Sequence, residues 1–119
     1  MENRRKENRY RVRDGVFAID VHDPQRLGEI LDISRSGISF RYMEGQNNFK
    51  PTTGLNIFSS THSLFLNNFS FETISDIQIE GHPTSAISMR RHSGKFTTLS
   101  QQQQKQLDDF IDLHSLYLI

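Results

Sequence analysis

Between Gly15 and Arg91 the apolar residues recur at every second position in short runs, and turn-forming residues cut the runs apart. Phe17, Ile19 and Val21 alternate with Ala18 and Asp20, and Ile38, Phe40 and Tyr42 alternate with Ser39 and Arg41. A period of two sends one face of the chain to a core and the other to water, the pattern of a half-buried β-strand. Leu27–Leu31, Leu55–Phe58, Leu64–Phe71, Ile74–Ile79 and Ser85–Arg91 read as further strands, with an irregularity at Asn67-Asn68. His22-Asp23-Pro24-Gln25, Asp32–Gly37 and Gly81-His82-Pro83 read as turns, and polar Glu44–Gly54, which holds Pro51, as a loop. Many short strands at regular spacing predict an all-β barrel or sandwich.

The last twenty residues change period. Ser100 followed by Gln103 matches a capping box, in which the serine hydroxyl takes the amide three residues on and the glutamine reaches back. Leu107, Phe110, Ile111, His114 and Leu118 then recur at helical spacing, which predicts one amphipathic helix from Gln101 to about Tyr117. Its apolar stripe has to cover the open side of the sheet or a partner, and the first is expected.

At 119 residues, the chain suits one domain with one core. It has no cysteine, which excludes disulfides and thiolate metal sites. Its five histidines share no metal-ligand spacing, so no metal is expected. No apolar run approaches a membrane span, and Met-Glu-Asn-Arg-Arg-Lys does not open a secretory signal, so a cytoplasmic protein is expected. The formal charge is zero, yet Arg4, Arg5, Lys6, Arg9, Arg11 and Arg13 crowd the first thirteen residues against only Glu2 and Glu7. A basic head on a neutral chain predicts a local anion site. Nucleic acid is not the expected partner, because the aromatics fall on alternating strand positions and the basic residues do not line the strands. No nucleophile elbow or phosphate-binding loop is present, and Ser34 has no identifiable base, so catalysis is not expected.

Two short motifs stand in order: Arg5-Lys6-Glu7-Asn8-Arg9 ahead of the first strand, and Asp32-Ile33-Ser34-Arg35-Ser36-Gly37 in a strand-to-strand turn. Here the sequence resembles the bacterial PilZ family, whose signatures R-x-x-x-R and D/N-x-S-x-x-G occur in that order, and both match without substitution. The resemblance runs from about Arg4 to about Ile111. It implies a small antiparallel six-stranded β-barrel of the PilZ type with a C-terminal α-helix, all one domain. Residues 1–9 would be a basic flexible head, about 10–99 the barrel and about 100–118 the helix. It also implies that the chain binds cyclic di-GMP through Arg5, Arg9, Asp32, Ser34 and Gly37, with Arg4 as a further candidate. Some members of the family lack an intact arginine motif and serve as protein-interaction modules that bind no nucleotide; the intact motif here favours the receptor.

Ligand chemistry accounts for the residue types. Guanine presents N7 and O6 as paired acceptors that an arginine fork can meet bidentately. Its opposite edge offers N1–H and N2–H donors to a carboxylate such as Asp32, while the two phosphates need guanidinium or hydroxyl partners. Gly37 is expected to supply a positive φ for the turn and a close approach of ligand to backbone. The head has almost nothing to bury, so ligand is expected to order it onto the barrel, and an unidentified downstream protein to read that change.

Overall fold

A computed structural model describes residues 8–43, 53–81 and 88–119 of the chain. Arg4, Arg5 and the turn read at Gly81-His82-Pro83 fall wholly or partly outside the described residues. The elements are β1 (Tyr10–Val12), β2 (Val16–Asp20), β3 (Asp23–Ile33), β4 (Gly37–Met43), β5 (Gly54–Ser59), β6 (Leu64–Gly81), β7 (Ser88–Phe96), α1 (Gln101–His114) and β8 (Ser115–Leu118). All pairings are antiparallel, and the order β2-β5-β6-β7-β4-β3 closes on itself through a β2–β3 pairing. This is the expected six-stranded barrel, with β1 and β8 added outside β3.

Alternation fills the barrel, but in β2 the buried face is the opposite of the one read: Val16, Ala18 and Asp20 are buried, and Phe17 and Ile19 only half-buried. Val16 and Ala18 of β2, Ile38, Phe40 and Tyr42 of β4, Leu55 and Ile57 of β5, and Phe69 and Phe71 of β6 all point inward and are buried. The helix covers this core: Leu107, Phe110 and Ile111 are buried in the same cluster. Each such side chain contributes about 1.5–3 kcal/mol by leaving water. The capping box forms, with Gln103 N donating to Ser100 Oγ at 3.0 Å and Ser100 N to Gln103 Oε1 at 3.1 Å.

Several readings shift, among them the turn read at His22-Asp23-Pro24-Gln25, where β3 already begins at Asp23. The helix stops at His114, where Ser115 turns extended, and Ser115–Leu118 pairs with β1 instead. Leu118 therefore leaves the helical stripe and is exposed. The runs Leu64–Phe71 and Ile74–Ile79 are one strand; a register shift between Thr73 and Ser75 carries it past Ile74. Ile74, Ile77 and Ile79 of this strand are exposed. The irregularity at Asn67-Asn68 is real: Asn68 adopts φ 54°, and its N–H donates to Asn56 Oδ1 at 2.7 Å. Finally, the strand read as ending at Arg91 runs on to Phe96, and its Gly94 and Lys95 pair with Ile38 and Gly37 of β4.

Candidate functional site

The β3–β4 hairpin places the second motif. Asp32 belongs to the end of β3, opposite Ser39 of β4, and the turn proper is Ser34–Ser36. Ser34 N donates to Gly37 O at 2.9 Å, while Ser34 Oγ accepts from Ser36 N and Gly37 N, both at 3.2 Å. The Ser34 hydroxyl also bonds to Ser36 Oγ at 3.1 Å. Ser34 thus shapes the turn with its own side chain, the usual way a serine competes with regular backbone pairing.

Gly37 is needed for a reason other than the expected one. Its φ is not positive; among the described glycines that conformation belongs to Gly15, at 85°. A Cβ on Gly37 would lie 2.5 Å from Gly94 O, so β4 and β7 approach there more closely than any side chain allows. The motif glycine preserves the packing of two strands behind the turn.

Asp32 is the centre of the site. Its carboxylate is buried but surrounded by cations: Arg91 Nη2 lies 2.6 Å from Oδ2, and Arg9 Nε lies 3.6 Å from Oδ1. Arg91 reaches across from β7 and also donates through Nε to Ser39 Oγ at 2.8 Å. The two oxygens of Asp32 are therefore treated unequally. Oδ2 has a short charge-assisted bond, whereas Oδ1 is buried with no hydrogen-bond partner, Arg9 being too distant to supply one. A buried, unpaired carboxylate oxygen beneath a partly exposed guanidinium is an acceptor waiting for a donor.

Of the expected residues, Arg9, Asp32, Ser34 and Gly37 are described; Arg9 and Asp32 come together, and Ser34 and Gly37 build the adjoining turn. Arg35 turns aside to Asp108 of α1, its Nε 2.9 Å from Oδ1. Arg11 sits opposite Asp32 in the β1–β3 pairing. Arg91 was missed. Its outward position on a strand was legible, but its proximity to Asp32, 59 residues away, depends on the order β7-β4-β3.

Two hydroxyl–histidine pairs elsewhere resemble parts of a hydrolytic apparatus. Thr73 Oγ1, His92 and Asp76 form one chain, with 2.9 Å from Thr73 Oγ1 to His92 Nε2 and 3.1 Å from His92 Nδ1 to Asp76 Oδ2. Ser59 Oγ lies 2.7 Å from His114 Nε2. Both imidazoles are fully buried, as is Ser59, and His92 is stacked on Phe40, so neither pair faces a substrate. Among the described residues no group of histidine, aspartate or glutamate side chains could hold a metal ion. Among the described residues no helix is long and apolar enough to cross a membrane.

No protein-family model matches the chain, and no curated protein sequence matches it. Among solved structures it is similar to the PilZ domain, with c-di-GMP, of YcgR from Escherichia coli: 15% identity, TM-score 0.68, covering 93% of this chain and 91% of that one. It is also similar to the MrkH–c-di-GMP complex of K. pneumonia, at 16% identity and TM-score 0.69 over 95% of this chain. Apo MrkH of K. pneumonia matches at 15% identity and TM-score 0.68 over 93% of this chain. The chain spans about half the length of the MrkH chains, 52% and 51%. The barrel, its outer strands and its helix thus make a PilZ-type fold.

Proposed function

We propose that the chain is a non-catalytic cytoplasmic receptor for cyclic di-GMP, with Arg5, Arg9, Asp32, Ser34 and Gly37 forming the ligand site and Arg4 adjoining it. The observation that carries this reading is the buried Asp32 Oδ1, unpaired beneath Arg9, in a fold shared with c-di-GMP-bound structures of YcgR and MrkH. A guanine N1–H or N2–H would satisfy Oδ1. Arg9, which holds Asp32 only at 3.6 Å, would exchange that loose contact for the N7/O6 edge or a phosphate of the ligand. Arg5, four residues upstream, supplies the second guanidinium. Ser34 acts through the turn its hydroxyl holds together, which fixes the hairpin that presents Asp32.

Signalling follows from gathering the arginine motif against the barrel rim, and a protein partner reads the change. Isothermal titration of the purified protein with cyclic di-GMP tests the reading; a protein that binds no nucleotide is the interaction-module alternative. Amide hydrogen exchange with and without ligand tests the mechanism. Protection is expected to rise across residues 4–11 and around Ser34, and equal protection in both states would remove the ordering step.

A further inference from the structure

The unequal treatment of the two Asp32 oxygens has a cause in one residue. Arg91 spans three strands: it grows from β7, donates to Ser39 on β4 at 2.8 Å and ends on Asp32 Oδ2 of β3 at 2.6 Å. Ser39 Oγ also lies 3.5 Å from the same Oδ2. Oδ2 is thus engaged from two sides, and Oδ1 is the atom left over. The terminal torsion of an aspartate is otherwise broad and roughly two-fold, so an unclamped carboxylate could present either oxygen or turn edge-on. A guanidinium anchored at two points removes that freedom, as an ammonium on a flexible stem does not.

We propose that Arg91 is the positioning residue through which this site discriminates guanine from adenine. The inference rests on the cyclic di-GMP reading above. A fixed acceptor at Oδ1 meets the N1–H of guanine as a charge-assisted hydrogen bond. At the same place adenine puts the N1 lone pair, and two acceptors repel. A carboxylate free to rotate can turn from that lone pair and take the adenine amino group instead, so freedom of Asp32 erodes selectivity as well as affinity. Arg91 touches no base in this scheme; it acts through Asp32.

Titration of the full chain with cyclic di-GMP and with cyclic di-AMP separates this role from a merely structural one. Wild type is expected to bind the guanine ligand and to discriminate against the adenine one. Arg91→Met is expected to lose about tenfold or more in cyclic di-GMP affinity, the worth of one charge-assisted bond, with no parallel loss for cyclic di-AMP. The ratio of the two affinities therefore shrinks. Arg91→Lys, charged but unable to bridge two acceptors, falls between, and Ser39→Ala shifts the ratio the same way by less. A thermal melt confirms that each variant is folded, and the lysine and Ser39 variants carry the test if the methionine variant is not. An unchanged ratio in folded variants, with both affinities equal to wild type or lowered together, overturns the inference and leaves the receptor standing. Wild type that binds neither nucleotide removes the receptor reading, and this inference with it.

Discussion

Two aspartates in this barrel are held among arginines, and they differ in how completely. Asp76 of β6 accepts at Oδ1 from Arg90 Nε at 2.7 Å, and at Oδ2 from the Tyr42 hydroxyl at 2.6 Å and His92 Nδ1 at 3.1 Å. Asp32 of β3 has one oxygen clamped by Arg91 and the other without a bond. Both lie on strands of the same sheet and both are largely shielded from water. The pKa shifts around Asp76 show a network that is finished. Burial raises its pKa, but hydrogen bonds from Tyr42, Arg90 and His92 outweigh this and bring it below the usual carboxylate value. Burial and then the Asp76 carboxylate push the Tyr42 hydroxyl well above its ordinary value. A satisfied buried network fixes a structure; a site that must take a ligand has to leave something undone.

The largest expected effect lies on the finished side. Asp76→Ala strips the acceptor from three donors, among them a buried tyrosine hydroxyl and a buried imidazole, and is expected to cost about 3 kcal/mol. For a domain of this size that lowers the melting temperature by about 10 °C. The comparison breaks if this variant melts like wild type.

The counterpart is a loss of binding without a loss of fold. Asp32→Ala and Arg9→Ala are each expected to weaken cyclic di-GMP binding by about tenfold or more, from about 1.5–3 kcal/mol of charge-assisted bonding. Their stability should change by only about 1 kcal/mol or less. Arg9 and Arg91 are each more than a third exposed at the side chain, so water takes them over, and the orphaned oxygen disappears with the carboxylate. Unchanged affinity in both variants would remove the site. A melt as damaged as that of Asp76→Ala would make Asp32 a structural residue.

What the sequence showed and hid follows the same division. The barrel was legible because alternation is local: Phe40 and Tyr42 face inward as their spacing demands. The capping box at Ser100 was legible for the same reason. That Leu64–Phe71 and Ile74–Ile79 form one strand was hidden because a register shift between Thr73 and Ser75 interrupts the period, and no local pattern announces it. Arg9 and Asp32 were found through motif spacing, whereas Arg91 was invisible because contact across three strands is a property of topology. Gly37 was given a mistaken reason, since its φ is not positive. Its true constraint predicts that even Gly37→Ala, which any backbone at negative φ accepts, costs about 1–3 kcal/mol by forcing β4 from Gly94 O. Binding should fall with it, since Gly37 also closes the Ser34 turn. A Gly37→Ala variant that melts and binds like wild type would show that the two strands can part without cost.

The smallest effect is a dependence on pH, and it belongs again to the finished side. Burial lowers the pKa of His92, with Asp76 opposing, and burial lowers that of His114, with the Phe110 carbonyl opposing and His62 and Arg13 assisting. The hydrogen bonds agree with neutral rings. The Asp76 carboxylate and the Phe110 carbonyl can only accept, so Nδ1 carries the proton in each ring. Nε2 is left to accept from Thr73 in one and from Ser59 in the other. Because both folded values lie below the ordinary 6.5, the unfolded chain takes up these protons first as pH falls. The stability held by the neutral rings is full above 6.5, declines as pH drops below it and is gone once the folded values are passed. Asp76, lowered from 3.8, adds a second loss at more acid pH. Melting curves across this range are expected to show the decline, and His114→Gln, which cannot titrate, should flatten the part that belongs to α1 on the barrel. Stability that rises as pH falls below 6.5 would mean that the imidazoles are charged in the folded protein, and that the network around Asp76 is less complete than its geometry implies.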